Sequence, residues 1–193
     1  YEIPDTVTSI LHSAFSYCGK VTSIIMPHTV KSIDDYAFFN CYNLESITIL
    51  PSVTSIGDYA FANCIKLESI PISNSVTSIG ASAFSDCYNL QSITIPSNLT
   101  SIREFMFCNC ESLTSITIPT SVTSIGESAF GNCISLESVT MSTSITSIGK
   151  EAFGNCPELT SITIPSSVTS IGDCAFDWCT NLTSFFVDPN NQH

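Results

Sequence analysis

Apolar and polar positions along the chain recur with one period. Phe15, Phe38, Phe61, Phe84, Phe107, Phe130, Phe153 and Phe176 are each 23 residues apart. Three residues after each stands a cysteine: Cys18, Cys41, Cys64, Cys87, Cys110, Cys133, Cys156 and Cys179. Eight such units account for nearly the whole chain without an insertion, so residues 1–193 read as a single domain. Within one unit the apolar positions are Leu113, Ile116, Ile118, Val122, Ile125, Ala129, Phe130 and Cys133. Ser115-Ile116-Thr117-Ile118 alternates polar with apolar and is rich in β-branched side chains, which predicts a short strand with one buried face. Pro119 lacks the N–H needed to extend that ladder and stops it. Ala129-Phe130 and Cys133 have the spacing of one helical turn. Gly126-Glu127 precedes it as a start signal, with an acid where a helix N-terminus favours one.

A single unit of this size cannot bury enough apolar surface to offset its own ordering, so neighbours must supply the rest of the core. Identical units joined in one direction stack their strands in parallel at about 4.8 Å per unit, a rod roughly 40 Å long. The expected shape is a curved solenoid with a parallel sheet on one face. Leu113-x-x-Ile116-x-Ile118 resembles the strand signature of leucine-rich repeats. The longer string Ser-Ile-Thr-Ile-Pro-x-Ser-Val-Thr-Ser-Ile-Gly-x-x-Ala-Phe-x-Asn-Cys-x-x-Leu, which runs from Ser115 to Leu136, resembles the BspA-like, or Treponema pallidum-type, leucine-rich repeat. Nearly all of the chain matches it. The resemblance implies a repeat solenoid: a leucine-rich repeat right-handed superhelix with a concave parallel β-sheet and short helical or 3-10 turns on the convex side. It also implies surface proteins of mucosal bacteria and parasitic protists that act as adhesins, binding host extracellular-matrix proteins or joining cell to cell. The family pattern has no catalytic residues to transfer.

Positions that vary between units carry the chemistry. The eight-cysteine row faces inward and reads as small hydrophobes, free and buried. Zinc needs ligands that converge, whereas these lie along a line, and parallel Cβ vectors hold neighbouring cysteines farther apart than a disulfide prefers. Cys108 and Cys174 fall outside the row and about three units apart. A second row, Asn40, Asn63, Asn109, Asn132 and Asn155 with Asp86 in register, is expected to satisfy backbone groups between turns. Tyr17 and Trp178 take that place in the terminal units, and a packed aromatic is the expected role of Trp178, with an end-of-stack contact or binding residue as the alternative.

The outward strand positions form a third row. Ser46, Ser69, Ser92, Ser115, Ser138 and Ser161 lie between Ser23 and Ser184, and two residues on come Thr48, Pro71, Thr94, Thr117, Thr140 and Thr163. Ile25 and Phe186 end that second set, and Pro71 removes a ladder donor within it. At the strand entrance stand Glu45, Glu68, Gln91 and Glu137. These side chains are expected to line the concave face. Serine and threonine without a base are poor nucleophiles, and His12, His28 and His193 lie toward the ends, so no triad is expected. Ice binding by the threonine row is disfavoured by curvature and by its breaks. A fourth row, Asp35, Asp58, Glu104, Glu127 and Asp173, precedes the helical turn and reads as N-terminal stabilisation and solubility. Shared calcium is the alternative, without an EF-hand or glycine-rich calcium repeat to support it.

Composition narrows the field. Five Lys+Arg stand against 17 Asp+Glu, a net charge of −12, so nucleic acid and anionic membrane are poor partners. No apolar run approaches a membrane span, and no signal peptide opens the chain, which reads as a fragment of something longer. Sequons at Asn98 and Asn181 matter only in a secreted eukaryotic protein. The expected function is a non-catalytic protein-binding module, an adhesin ectodomain at the cell surface or secreted. Its partner would be a host or extracellular-matrix protein or another cell-surface protein, met through the concave Ser/Thr/Glu positions, with no cofactor and no metal. The alternative is a rigid stalk displaying another domain. Neither end resembles a dedicated cap, so end-to-end self-association is also expected.

Overall fold

The computed structural model describes residues 1–191; His193 lies outside the described residues. Eight coils of 23 residues, each centred on one phenylalanine of the row, stack into a parallel β-solenoid. Every strand pair is parallel and offset by 23, as in Ser9↔Ser32 and Ser147↔Ser170, so the sequence period is the structural register.

The strand foreseen over Ser115–Ile118 forms at Ser115–Thr117, and counterparts of it recur along the chain. They run as β2 (Ser23–Ile24), β4 (Ser46–Ile47), β8 (Ser115–Thr117), β10 (Ser138–Thr140), β12 (Ser161–Ile164) and β14 (Ser184–Val187). Their sheet is not continuous. It consists of the pairs β2–β4, β8–β10 and β12–β14, with isolated bridges at Ile49↔Ile72 and Ser69↔Ser92 around Pro71. Pro71 can accept a bond at its carbonyl, 2.9 Å from the Ile49 N–H, but has none to donate, and the ladder thins to single bridges there.

A second ladder, on the Ser-Ile segment after each turn, has no counterpart in the expectation. β1 (Ser9–Ile10), β3 (Ser32–Ile33), β5 (Ser55–Ile56) and β6 (Ser78–Ile79) form one four-stranded sheet. β7 (Ser101–Ile102), β9 (Ser124–Ile125), β11 (Ser147–Ile148) and β13 (Ser170–Ile171) form another. The gap between them falls where Leu99, Arg103 and Met106 stand in place of the valine, glycine and alanine of the next coil. A β-carbon on Gly126 would come within 2.6 Å of the Glu104 nitrogen, and on Gly80 within 2.4 Å of the Asp58 nitrogen. Those glycines let coils close up. Bulkier side chains in the fifth coil hold it off, and the Phe84–Phe107 ring separation, 5.7 Å, is the widest of the phenylalanine stack.

The helical turn is a correction. Among the described residues no helix forms. From Ser128 to Cys133 the N–H groups alternate in direction. Gly131 and Cys133 bond within the turn, to Ser128 and Phe130 carbonyls, while Ser128, Phe130 and Asn132 donate to Lys150, Ala152 and Gly154 of the next coil at 2.8–2.9 Å. Ser128 and Asn132 sit at φ of 46° and 59°, left-handed conformations that no α-helix contains. Phenylalanine and cysteine three apart share a face in this run of turns as they would in a helix, which is why spacing alone misleads. We call this edge the turn spine.

All eight apolar positions predicted from one unit are buried, from Leu113 and Ile116 to Phe130 and Cys133. The phenylalanines stack face to face, and Tyr1 and Phe185 set their edges on the first and last rings at 5.7 and 5.5 Å. The ends therefore carry edge-on aromatic covers that the repeat pattern did not announce. Behind the second, Asn191 ties the tail down by donating to Pro165 and Val168 carbonyls, both at 3.0 Å.

Candidate functional site

The strand face is the predicted surface, and its side chains are where alternation places them. Glu45, Ser46, Thr48, Glu68, Ser69, Gln91, Ser92, Thr94, Ser115, Thr117, Glu137, Ser138, Thr140, Ser161 and Thr163 are all exposed, while the intervening isoleucines turn inward. The register brings like to like: Ser115 opposite Ser138, Thr117 opposite Thr140, Ser69 opposite Ser92. Thr163 instead faces Phe186. At the entrance the Glu45 N–H meets the Thr22 carbonyl at 2.8 Å and the Gln91 N–H meets Glu68 at 3.0 Å, so the carboxylates stand off an ordered backbone. This is a row of hydroxyls flanked by anions. It offers hydrogen bonds and negative potential, and it holds no nucleophile with a base beside it: His12 packs edgewise on Tyr36 at 5.5 Å, on the turn spine.

The asparagine row lies on that spine, and its role differs from the one expected. All eight of its positions have left-handed backbone, with φ from 57° to 61°. Asparagine and aspartate tolerate that region better than most residues, which accounts for their place here. Their side chains bond one another rather than the backbone. Asn109 Nδ2 donates to Asp86 Oδ1 at 2.7 Å, Asn132 to Asn109 at 2.9 Å and Asn155 to Asn132 at 2.8 Å; Asn63 likewise donates to Asn40. Asp86 has no N–H to pass on, so the ladder restarts there. Trp178, expected to pack, is 70 % exposed at the end of this row. Four residues upstream a second left-handed position recurs, filled by Ser13, Tyr36, Tyr59, Ser82, Phe105, Ser128, Glu151 and Cys174.

The cysteine row is more than filler. Each thiol from Cys41 on donates to the phenylalanine carbonyl of the preceding coil, as in Cys64 to Phe38 and Cys133 to Phe107, both 3.3 Å. Burial pushes the Cys41 thiol up to about 11 and Cys87 to about 12, and Cys64, Cys110 and Cys133 rise for the same reason. These are protonated donors. No group of three or more His, Cys, Asp or Glu among the described residues is arranged to hold an ion.

The acidic row has no helix to stabilise, and its members serve differently. Asp35 Oδ1 accepts the Asp58 N–H and Asp58 Oδ1 the Ala81 N–H, both at 2.8 Å, stitching coils together. Glu104 pairs with Arg103 at 3.3 Å, and their hydrogen bond holds the Glu104 carboxyl below its usual range. Glu127 lies 3.6 Å from Lys150. At the first sequon, Asn98 spends its amide on the Asn74 carbonyl at 2.7 Å.

A parallel β-solenoid of short coils of equal length with an exposed hydroxyl row defines a repeat protein of the leucine-rich class. The model of the BspA-type leucine-rich repeat region, in six copies, matches residues 1–113 and 100–193, and the chain belongs to that family. A solved leucine-rich repeat protein of T. pallidum is 28 % identical, covers 86 % of this chain and 80 % of its own, and superposes with a TM-score of 0.78. One from Eubacterium ventriosum, 22 % identical, covers 92 % of this chain and 64 % of its own at a TM-score of 0.64, a likeness of fold. A leucine-rich cell surface protein of Faecalibacterium prausnitzii is 26 % identical over 97 % of this chain and 78 % of its own, at a TM-score of 0.49. No curated protein sequence matches the chain. Solenoids of this family are typically non-catalytic interaction or surface proteins, and no helix among the described residues is long and apolar enough to cross a membrane.

Proposed function

We propose that this solenoid is a protein-binding module of a cell-surface or secreted adhesin, meeting a host, matrix or other cell-surface protein through its strand face. One observation carries the reading: fifteen hydrogen-bonding side chains from six successive coils are exposed on one face in strict register, and none is needed to close the core. Such a face suits many weak contacts spread over a large partner, where avidity supplies the strength. The purified chain should bind immobilised matrix proteins, and replacing Thr94, Thr117, Thr140 and Thr163 together by alanine should weaken that binding at least tenfold without lowering the melting temperature. Binding no stronger than that of an unrelated acidic solenoid would refute it.

The uniformity of the row favours a second reading, a rigid spacer that displays another domain. Under it, the same quadruple variant keeps full attachment in the parent protein. Self-association end to end belongs to the proposal as well. The N–H groups of Cys174, Phe176 and Trp178 stand where each earlier coil donates to the next, and light scattering at rising concentration tests it.

A further inference from the structure

A cavity of about 290 Å³ opens on the turn spine toward the last coils. The side chain at one position of the repeat sets how much room is left there. The residue just before each asparagine is Phe39 in the second coil, where its ring packs against Tyr17 and Tyr36 at 5.6 and 5.4 Å. In the sixth and seventh coils the same place is Gly131 and Gly154, and the space stays open.

Beside the Cys108 thiol, the polar groups around that space include several acceptors. Asn155 gives its amide N–H to Asn132, and the row's next position is Trp178, which has no amide to donate back. The asparagine ladder therefore ends on the Asn155 Oδ1 lone pairs at the cavity wall. Asp177 presents an exposed carboxylate with no ion pair among the described residues, and Glu151 shares its charge with Lys150 at 3.3 Å. Ser128, only 6 % exposed, lines the cavity with a hydroxyl that makes no hydrogen bond within the chain. Over the rim stands the Trp178 indole, 70 % exposed. That hydroxyl opens on the cavity rather than being sealed in the core, so its partner comes from whatever fills the space.

We propose that this cavity is a binding site for the guanidinium of an arginine on a partner polypeptide. A guanidinium is planar, permanently charged and carries five N–H donors and no acceptor, the complement of this lining. Its face stacks on an indole while its edge meets a carboxylate. A lysine ammonium fills less of the space and cannot stack as a plane. The net charge of −12 draws cations toward the molecule, and the carboxylate and indole decide where one stays. The inference rests on reading the chain as a binding module but places this contact on the spine rather than the strand face.

Trp178 is the only tryptophan, so its fluorescence reports on this cavity alone. The intact chain is titrated at moderate salt with N-acetyl-arginine amide, and separately with the lysine analogue, glycine amide and a neutral hexose. The expected result is a saturable change in Trp178 emission with the arginine compound, several-fold weaker with lysine and absent with glycine. Asp177→Asn should weaken the arginine response about tenfold. Glu45→Gln and Thr117→Ala, on the strand face, should leave it unchanged, which separates this site from the one proposed above. No saturable change, an equal response in Asp177→Asn, or a response to the hexose and not to arginine would overturn the proposal.

Discussion

At each of the seven joints between coils the turn spine carries three hydrogen bonds, from residues such as Ser128, Phe130 and Asn132 to the next coil, at 2.7–3.0 Å throughout. The strand face carries two-stranded pieces and single bridges, and stops and starts around Pro71. The edge expected to be helical is the continuous ladder, and the edge expected to be the sheet is the interrupted one. The difference follows from what backs each. Behind the spine lie the stacked phenylalanines, the thiol donors and the asparagine ladder, all demanding the same 23-residue step. The strand face needs only its isoleucines inward. Its outward side chains are free to vary without loosening the stack, as the proposed binding role would require.

The comparison can be broken most forcefully at the stack. Phe107→Ala removes a ring buried between Phe84 and Phe130, and should cost about 3–5 kcal/mol in urea denaturation. Because repeats couple mainly to neighbours, the transition should also broaden or split at the fifth coil. A loss no larger than that of a strand-face variant would deny the spine its role.

Alkaline pH tests the thiol row without mutation. The folded values of about 11 for Cys41 and about 12 for Cys87 lie above the ordinary thiol value of 9.0, so the unfolded chain ionises first. Stability should be fully present below about pH 9 and be lost as pH climbs toward 11 and 12, by a few kcal/mol in all. Thermal melts under reducing conditions check this, and Cys87→Ala should flatten the slope.

Asn132→Ala should cost about 2 kcal/mol, combining a left-handed alanine with two lost amide bonds. Asn132→Gly, which relieves the backbone but not the ladder, should cost about 1 kcal/mol. If glycine restores full stability, the amide ladder contributes nothing. Asp86→Asn sharpens the point in the other direction. It supplies the missing N–H between Asn63 and Asn109 and should raise stability by about 0.5–1.5 kcal/mol. The smallest effect belongs to the strand face: Thr117→Ala should change stability by no more than about 0.5 kcal/mol.

Much of this molecule is visible in its residues. The spacing of Phe15 to Phe176 names the number of coils and the register, and the pattern from Leu113 to Cys133 names the core positions of each. Alternation at Ser115–Ile118 exposes the hydroxyl row. Three things were hidden. The second ladder uses only two paired residues per coil, too few for alternation to show. The left-handed positions are occupied by tyrosine, phenylalanine, serine and glutamate as readily as by asparagine, so only one of the two rows leaves a trace in composition. The cavity at Gly131 and Gly154 lies where Phe39 places a ring in the second coil, and sequence alone does not say that one place is filled and the other open.

Periodicity belongs to the chain itself, because burial repeats wherever the same apolar residues repeat, and a stack of equal steps is the one arrangement that buries them all. Where the backbone amides point is a different matter. Each N–H chooses between a partner three residues back and one in a neighbouring coil, 22 residues on or 23 to 24 back, and that choice depends on how closely that coil approaches. Only the assembled coils set that distance, and with it the spine, the breaks in the sheet and the solitary indole over its acceptor-lined hollow.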